Sequence, residues 1–283
     1  MELHVTSLAI EDHVGIVQLN RPERGNSWTH RMNAEYRWLM QSLDENPEVR
    51  VILVTGAGKQ FCVGADFRAL DHHQASDQDY VKSAPTQEMA RPGHGVRPEF
   101  DHDLVWHWGL SKPVIAGING ACAGIAVALA AFCDLRYAAA GAKITTSTAR
   151  LGLPSEYGLS WVLPRIIGLT RAAEVLLNGR VLRAEEMEAM GFLNGVFPAE
   201  EFAERVLVAA KEMARTVSPV AVQAAKRQLY AEQMHLDPGR SVEDAKALTG
   251  RMLRHPDVKE GVNAARDRRP PVFAPLALAQ VQA

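Results

Sequence analysis

Two short glycine-containing loops are the first candidates for chemistry in this sequence. They are Cys62-Val63-Gly64-Ala65-Asp66 and Ala123-Gly124-Ile125-Ala126, and each follows an apolar, strand-like run and leads into a predicted helix. The first amides of a helix have no acceptor within the helix and lie at the positive end of its dipole. Two such amides that converge on one point would form an oxyanion hole. The spacing alone favours a simpler interpretation, in which the glycines permit close helix packing.

The elements that must position these loops can be predicted from apolar periodicity. Residues 8–19 indicate a hairpin, and a helix follows from an N-cap at Thr29 to Asn46-Pro47. Further strands are predicted at residues 49–55, 113–118 and 135–146. A central apolar helix is predicted at residues 124–131. These repeated β-β-α units predict an α/β fold.

After residue 165 the apolar pattern of the sequence predicts a series of amphipathic helices. Two of them have cap-like patterns, Ser241-x-x-Asp244 and Asp257-x-x-Glu260. We therefore divide the chain into a core at residues 1–198 and a helical C-terminal region at residues 199–283. No low-complexity linker separates the two parts, so the helices are expected to pack on the core or on a neighbouring subunit.

Composition excludes several classes of protein. The 283 residues carry 31 Lys and Arg against 33 Asp and Glu, which gives a net charge of −2. Such a balance provides no general attraction for nucleic acid or an anionic membrane. The three cysteines, Cys62, Cys122 and Cys133, form no C-x-x-C pair, and the N-terminus has no secretory signal pattern. We expect a cytoplasmic protein with no membrane span.

Several short motifs follow one another in a characteristic order. They are Asn20-Arg21-Pro22 with Asn26, the runs 54–66 and 113–120, Phe132-Cys133-Asp134-Leu135-Arg136, Leu151-Gly152-Leu153, Leu163-Pro164-Arg165 and Ala184-Glu185-Glu186. As a set they resemble the crotonase, or enoyl-CoA hydratase/isomerase, superfamily over residues 3–273. The resemblance implies a crotonase-like spiral of β-β-α units, a C-terminal helical trimerisation region and an acyl-CoA thioester as substrate.

The resemblance also implies functional residues. The two oxyanion-hole amides fall on Ala65 and Ile125. The substrate and coenzyme A contacts fall on Arg24, Asn26, Ala65, Asp66, Phe67, Gly124, Arg266 and Arg268. Alternatives remain for some of these residues, because the arginines could belong to a solvated helix face and Asp66 could be a helix cap. A homotrimer, or a hexamer formed as a dimer of trimers, is the implied assembly.

The sequence departs from this family at the catalytic positions. Hydratases of the family use two glutamates, and alignment places Ala128 and Thr148 there, neither of which can act as a general base. Glu156 lies where some isomerases of the family keep a single acidic residue. One carboxylate suits a 1,3-proton shift, because it can return the proton that it removes to another carbon. Alternatively, Glu156 serves only as a turn residue after Pro154-Ser155.

We therefore expect a cofactor-free enzyme that moves a proton or isomerises a double bond in an enoyl-CoA thioester, with coenzyme A as part of the substrate. Hydration of a 2-enoyl-CoA is the alternative reaction. A catalytically silent scaffold that binds coenzyme A is an alternative of another class. No metal site is expected, since His102 and His107 are five residues apart and would not share one helix face.

Overall fold

Nine strands lie in residues 1–66 and 100–276, the parts of the chain that the computed structural model describes. In chain order they are β1 (Thr6–Glu11), β2 (Val14–Leu19), β3 (Val51–Gly56), β4 (Val114–Ile118), β5 (Cys122–Ala123), β6 (Leu135–Ala139), β7 (Lys143–Thr145), β8 (Leu182–Arg183) and β9 (Gly195–Phe197). Six of them form a sheet in the order β1-β2-β3-β4-β6-β9, and β5-β7-β8 form a smaller sheet. In the larger sheet β1 and β2 are antiparallel, as in the predicted hairpin, and every other pair is parallel.

The α-helices of these ranges alternate with the strands and then dominate the C-terminal region. They are α1 (His30–Glu45), α2 (Ile125–Phe132), α3 (Leu159–Ile167), α4 (Leu169–Ala173), α5 (Ala184–Ala189), α6 (Phe202–Thr216), α7 (Pro219–Ala231), α8 (Pro238–Met252) and α9 (Pro256–Asp267). The predicted start of α1 is confirmed, because the Thr29 hydroxyl accepts a hydrogen bond from the Met32 amide at 3.1 Å. Within the described ranges, no helix combines the length and the apolar composition needed to cross a bilayer.

The larger sheet is covered on both faces, which explains the unbroken apolar run of β3. Val51 and Leu53 belong to the cluster that includes Val206 of α6, whereas Ile52 and Val54 belong to the main core with α1 and α2. A parallel strand buried on both faces needs apolar residues at successive positions. Because α6 follows residue 198, the first helix of the predicted C-terminal region completes this core. The boundary between residues 198 and 199 stays a prediction.

Three predicted boundaries are wrong for local reasons. The single strand predicted at 135–146 is two strands in different sheets, β6 and β7, separated by Gly141 in the left-handed region at φ +74°. The N-cap of α8 is Asp237 and that of α9 is His255, not Ser241 and Asp257. In both helices proline follows the cap, where its fixed φ suits the first helical position.

A buried histidine links α1 to the segment before β4. The Tyr36 hydroxyl lies 2.7 Å from Nε2 of His107, and Nδ1 of His107 bonds the Leu104 carbonyl oxygen. The His107 ring also stacks on Trp106 with centroids 4.0 Å apart. Burial lowers the pKa of His107 to about 3, and the charge of Lys226 acts in the same direction. Both ring nitrogens have protein partners, so His107 is a core residue.

Stability is expected to fall as the pH drops below the ordinary histidine pKa. Unfolded His107 takes up a proton below about pH 6.5, whereas the folded protein resists protonation until about pH 3. This one group therefore reduces the free energy of unfolding by up to about 1.4 kcal/mol per pH unit between these values. Urea denaturation at pH 7 and pH 5 measures the loss. His107→Gln should reduce the change in the free energy of unfolding between pH 7 and pH 5, whereas replacing the exposed His4 with Gln should leave this change as it is in the wild type. An equal change in all three proteins would contradict the role of His107.

Candidate active site

The loop between β3 and the first glycine turn is held by two asparagine side chains. Nδ2 of Asn26 donates to the carbonyl oxygens of Ala57 at 2.9 Å and Gln60 at 2.7 Å. From the other side, Nδ2 of Asn119 donates to the carbonyl oxygens of Gly56 and Gly58, both at 3.0 Å. These bonds fix the loop that leads into the Cys62–Asp66 turn.

The two glycine turns predicted from the sequence lie side by side. Cys62 and Cys122 face each other in a parallel β-bridge, one at the start of each turn. A Cβ added at Gly124 would lie 3.8 Å from the Gly64 Cα, and one added at Gly64 would lie 3.2 Å from the Ala123 carbonyl oxygen. Both glycines have positive φ, +101° at Gly64 and +55° at Gly124. The structure therefore brings together the turns that contain Ala65 and Ile125.

The orientation of the Ala65 amide follows from its neighbours. The Trp28 amide donates to the Gly64 carbonyl oxygen at 2.7 Å, and the Asp66 amide donates to the Trp28 carbonyl oxygen at 3.2 Å. Ala65 is the bridge partner of Trp28, so its own N–H points away from Trp28. Ile125 is the first residue of α2, where an amide has no intrahelical acceptor.

Glu156 lies in the turn that precedes α3. Its carbonyl oxygen accepts a hydrogen bond from the Leu159 amide at 3.0 Å. Two residues on, a Cβ added at Gly158 would lie 3.5 Å from the Phe132 ring, which places this turn against α2. The Glu156 side chain is half-buried, and this burial raises the pKa of its carboxyl. A raised pKa brings a carboxyl closer to the range in which it can both accept and donate a proton.

The two positions at which the resemblance expects glutamates are buried and carry no charge. Ala128 is fully buried on α2, one turn after Ile125, and Thr148 is 4% exposed. Neither side chain titrates in the physiological range. The described residues also contain no cluster of three or more His, Cys, Asp or Glu side chains that could hold a metal ion.

The loop that carries Arg24 lies directly against the first glycine turn. The Val63 amide donates to the Gly25 carbonyl oxygen at 3.1 Å, and a Cβ added at Gly25 would lie 2.8 Å from the Val63 side chain. The Arg24 side chain is exposed beside this contact. A guanidinium in this position is accessible to a phosphate group.

Asn26 and Asp66 have internal partners. Asn26 is fully buried, and its amide is bonded to Arg21 on one side and to Ala57 on the other, so its side chain joins two loops. Its contact with coenzyme A stays a prediction. Oδ2 of Asp66 lies 3.2 Å from Nη2 of Arg21, so this carboxylate faces the Arg21 loop. Sequence reasoning missed the role of Arg21, because an ion pair across 45 residues leaves no local spacing signal. Phe67 lies outside the described residues.

Arg266 and Arg268 are exposed near the end of α9, and none of the contacts described above includes them. The chain just beyond them is held by Arg50, whose Nη2 donates to the Phe273 carbonyl oxygen at 2.7 Å. Arg50 lies just before the start of β3, whereas the Cys62–Asp66 turn comes after the end of this strand. The contact between Arg50 and Phe273 is therefore at the opposite end of β3 from the glycine turn. The neighbouring Arg269 is paired with Glu260 at 2.7 Å, a hydrogen bond that lowers the pKa of Glu260 to about 2.

The fold and these turns define a class of protein. A largely parallel sheet with two adjacent glycine turns, one after β3 and one at the start of α2, followed by C-terminal helices, is the architecture of a crotonase-fold protein. Residues 9–275 match the family model described as "Enoyl-CoA hydratase/isomerase". The chain belongs to the enoyl-CoA hydratase/isomerase family, and it is therefore an enzyme that acts on acyl-CoA thioesters.

Relatives and solved structures agree with this assignment. A "Probable enoyl-CoA hydratase EchA12" from Mycobacterium tuberculosis is 32% identical over 276 residues, which cover 94% of this chain and 93% of the relative. The "1,2-epoxyphenylacetyl-CoA isomerase" of Escherichia coli is 32% identical over 93% of this chain and 96% of its own length. A crystal structure of an enoyl-CoA hydratase from Bacillus anthracis matches with a TM-score of 0.83 at 27% identity and covers 96% of this chain and 99% of the other. The predicted superfamily, α/β fold class and enzyme class are confirmed.

Replacing Asn26 with Asp should destabilise the loop before the glycine turn. The substitution keeps the size of the side chain and its tolerance of positive φ, but the new oxygen would face the carbonyl oxygens of Ala57 and Gln60. Since buried polar atoms without partners are costly, we expect a loss of at least about 2 kcal/mol in the free energy of unfolding at pH 7. Urea denaturation measures it. The same change at the exposed Asn20 should cost under about 0.5 kcal/mol, and equal losses would refute the role of Asn26.

Proposed function

We propose that this protein transfers a proton along the acyl chain of an enoyl-CoA thioester and thereby shifts its double bond. Glu156 is the acid and base, and the amides of Ala65 and Ile125 hold the thioester oxygen. The observation that carries the proposal is the half-buried Glu156 carboxyl, whose pKa is raised by burial. The turn that carries Glu156 lies against α2 through Gly158, on a fold that has Ala128 and Thr148 in place of the two glutamates of a hydratase.

The steps of this reaction balance without another reactant. In a 3-enoyl-CoA, Glu156 removes a proton from the α-carbon, which lies between the thioester and the double bond, and the electron pair moves onto the thioester oxygen to give a dienolate. The two backbone amides stabilise the resulting negative charge because they are oriented before the reaction begins. The protonated Glu156 then returns the proton to another carbon of the chain. No electrons are exchanged with an outside group, so we propose that no cofactor is needed beyond the coenzyme A of the substrate.

Arg24 is the proposed contact for the phosphates of coenzyme A. Its exposed guanidinium lies on the loop that contacts Val63, next to the turn that would hold the thioester. Asp66 and Gly124 shape the two turns, and Ala65 also contacts the substrate through its amide. Arg266 and Arg268 are exposed and remain proposed phosphate contacts.

Hydration of a 2-enoyl-CoA is the second candidate. Its support comes from relatives that are named as hydratases, among them the "(E)-benzylidenesuccinyl-CoA hydratase" of Thauera aromatica, which is 31% identical over 94% of this chain and 98% of its own length. The isomerase named among the relatives is equally similar, at 32% identity. The uncharged Ala128 and Thr148 favour isomerisation over hydration.

We also propose a homotrimer, or a hexamer of two trimers, as the assembly. Support comes from α8, which has no buried residue in a single chain although Val242 lies on it and the apolar Leu253 follows it. Apolar side chains on such a helix favour contact with a second copy.

A cytoplasmic location is proposed as well. All three cysteines are free and buried, which is usual for proteins of a reducing compartment.

Glu156→Gln should abolish isomerisation. We expect kcat to fall by a factor of about 10² to 10⁴, because glutamine cannot take up the proton. Conversion of a 3-enoyl-CoA raises the absorbance of the conjugated product, whereas hydration of a 2-enoyl-CoA lowers it, so one assay separates both reactions.

The wild-type rate should decline as the pH falls through the raised pKa of Glu156, since the base is then lost. The exposed Glu204→Gln is the control. Full turnover by Glu156→Gln would refute the mechanism, and robust hydration would favour the second candidate.

Gly64→Ala should impair catalysis more than coenzyme A binding. The new Cβ would be strained at φ +101° and lie 3.2 Å from the Ala123 carbonyl oxygen, so the adjoining Ala65 amide must move. Displacing one donor should lower kcat by about 10²-fold, while calorimetry shows a nearly unchanged Kd for coenzyme A. Gly191→Ala is the matched control, because Gly191 also has a positive φ of +90° but open space around it. Equal kcat values for the two variants would contradict the role of Ala65.

A further inference from the structure

Two side chains near the Glu156 turn have a buried polar atom without a hydrogen-bond partner. They are Nε1 of Trp108 and Oγ of Ser155, and in each case this atom is the only polar atom of the side chain. The other unpartnered atoms in the described ranges belong to Arg37, Gln41, Arg50 and Gln223, side chains that each have at least one further polar atom. In Arg37, Gln41 and Arg50 another polar atom has a partner. Trp108 is only 6% exposed. A donor this buried normally has an acceptor.

Trp108 lies beside the helices that flank Glu156. Its ring is 5.2 Å from that of Phe132 at the end of α2, and 5.7 Å from that of Trp161 in the first turn of α3. Phe132 also contacts the position of Gly158, and the Trp161 amide donates to the Gly158 carbonyl oxygen at 2.9 Å. Ser155 directly precedes Glu156 in the chain. Both unpartnered groups therefore belong to the surroundings of the proposed acid and base.

The Trp108 ring is held in place. Tyr230 of α7 stacks on it with centroids 4.4 Å apart and planes inclined by 9°. The Tyr230 hydroxyl donates to Oδ1 of Asp134 at 2.7 Å, and Lys226 pairs with Oδ2 of the same carboxylate at 2.7 Å. The rings of Phe132 and Trp161 pack against the same indole, so Trp108 is enclosed by three aromatic side chains. This packing holds the indole and its N–H in place before any ligand binds.

We propose that Trp108 is a specificity-determining residue whose indole N–H donates a hydrogen bond to an oxygen on the acyl group. The preferred substrate is then an enoyl-CoA that carries a carbonyl, hydroxyl or ether oxygen beyond its double bond, not a plain hydrocarbon chain. Ser155 provides a second contact to the same oxygenated part of the chain. This inference rests on the proposed function, because that function places the acyl chain beside Glu156.

The expected discrimination follows from the cost of an unpaired donor. A site built to hydrogen-bond a substrate rejects an analogue that lacks the partner more strongly than a hydrophobic pocket rejects a change of one methylene. For a single neutral hydrogen bond we expect a ratio of about 10 to 100 in kcat/KM. Replacing Trp108 with Phe retains an aromatic ring but removes the N–H, so it should abolish the preference by slowing only the oxygenated substrate.

The test compares two 3-enoyl-CoA thioesters of equal chain length, one with an ether oxygen in place of a methylene beyond the double bond. Wild-type protein should prefer the ether, and Trp108→Phe should treat both alike. Trp106→Phe is the matched control, because Trp106 is also buried, at 1% exposure, but its ring packs on Tyr36 and His107. It should keep the preference. Near-ultraviolet circular dichroism verifies that both variants fold.

The outcomes separate this inference from the function on which it rests. If wild-type protein isomerises both thioesters equally well, the inference is wrong and the proposed function stands. If it isomerises neither, the proposed function is wrong, and calorimetry with the two corresponding saturated acyl-CoA thioesters then decides the inference. Tighter binding of the ether by wild-type protein would support the role of Trp108, and equal binding would overturn it. The wild-type comparison needs no variant, so a folding defect in Trp108→Phe cannot hide the answer.

Discussion

Close approach of one backbone segment to another at the carboxyl ends of β3 and β4 is the constraint on which the site depends. A Cβ at Gly56 would lie 2.0 Å from the Gln60 carbonyl oxygen, and one at Gly120 would lie 2.0 Å from that of Lys59. Only residues without a side chain fit there. The carbonyl groups of this loop need donors, which Asn26 and Asn119 supply. Sterics and hydrogen bonding therefore position the glycine turns without help from a ligand.

The local parts of this arrangement could be predicted from the sequence. Apolar periodicity and the Thr29 cap are short-range signals, and they indicated the hairpin, α1 and β3 correctly. The two glycine turns are predicted in the same way, because each follows an apolar strand-like run, and the second of them begins α2 as expected. What the sequence could not show is which distant groups meet. The bonds from Asn26 to Gln60 and the ion pair from Arg21 to Asp66 join residues that are 34 and 45 positions apart.

The predicted ends of helices and strands are wrong where two local sequence signals compete. Ser241 and Asp257 resemble caps, but Asp237 and His255 stand before proline and take that role. Between β6 and β7 the chain stays apolar, so nothing in its composition marks the change of sheet except a glycine at positive φ. At the site, burial is the cause of the raised pKa of Glu156. The sequence shows an acidic residue at position 156 and uncharged residues at 128 and 148, whereas the extent to which Glu156 is buried depends on how distant elements pack.

Tyr230 gives α7 a second significance. This helix belongs to the C-terminal region, yet its tyrosine lies flat on Trp108, and its lysine and tyrosine share the Asp134 carboxylate that also accepts the Val114 amide at the start of β4. The helix therefore joins the C-terminal region both to the start of β4 and to the ring of Trp108. If Trp108 sets the acyl preference as proposed, a substitution on α7 that displaces Tyr230 would alter that preference from a helix that carries none of the proposed catalytic groups.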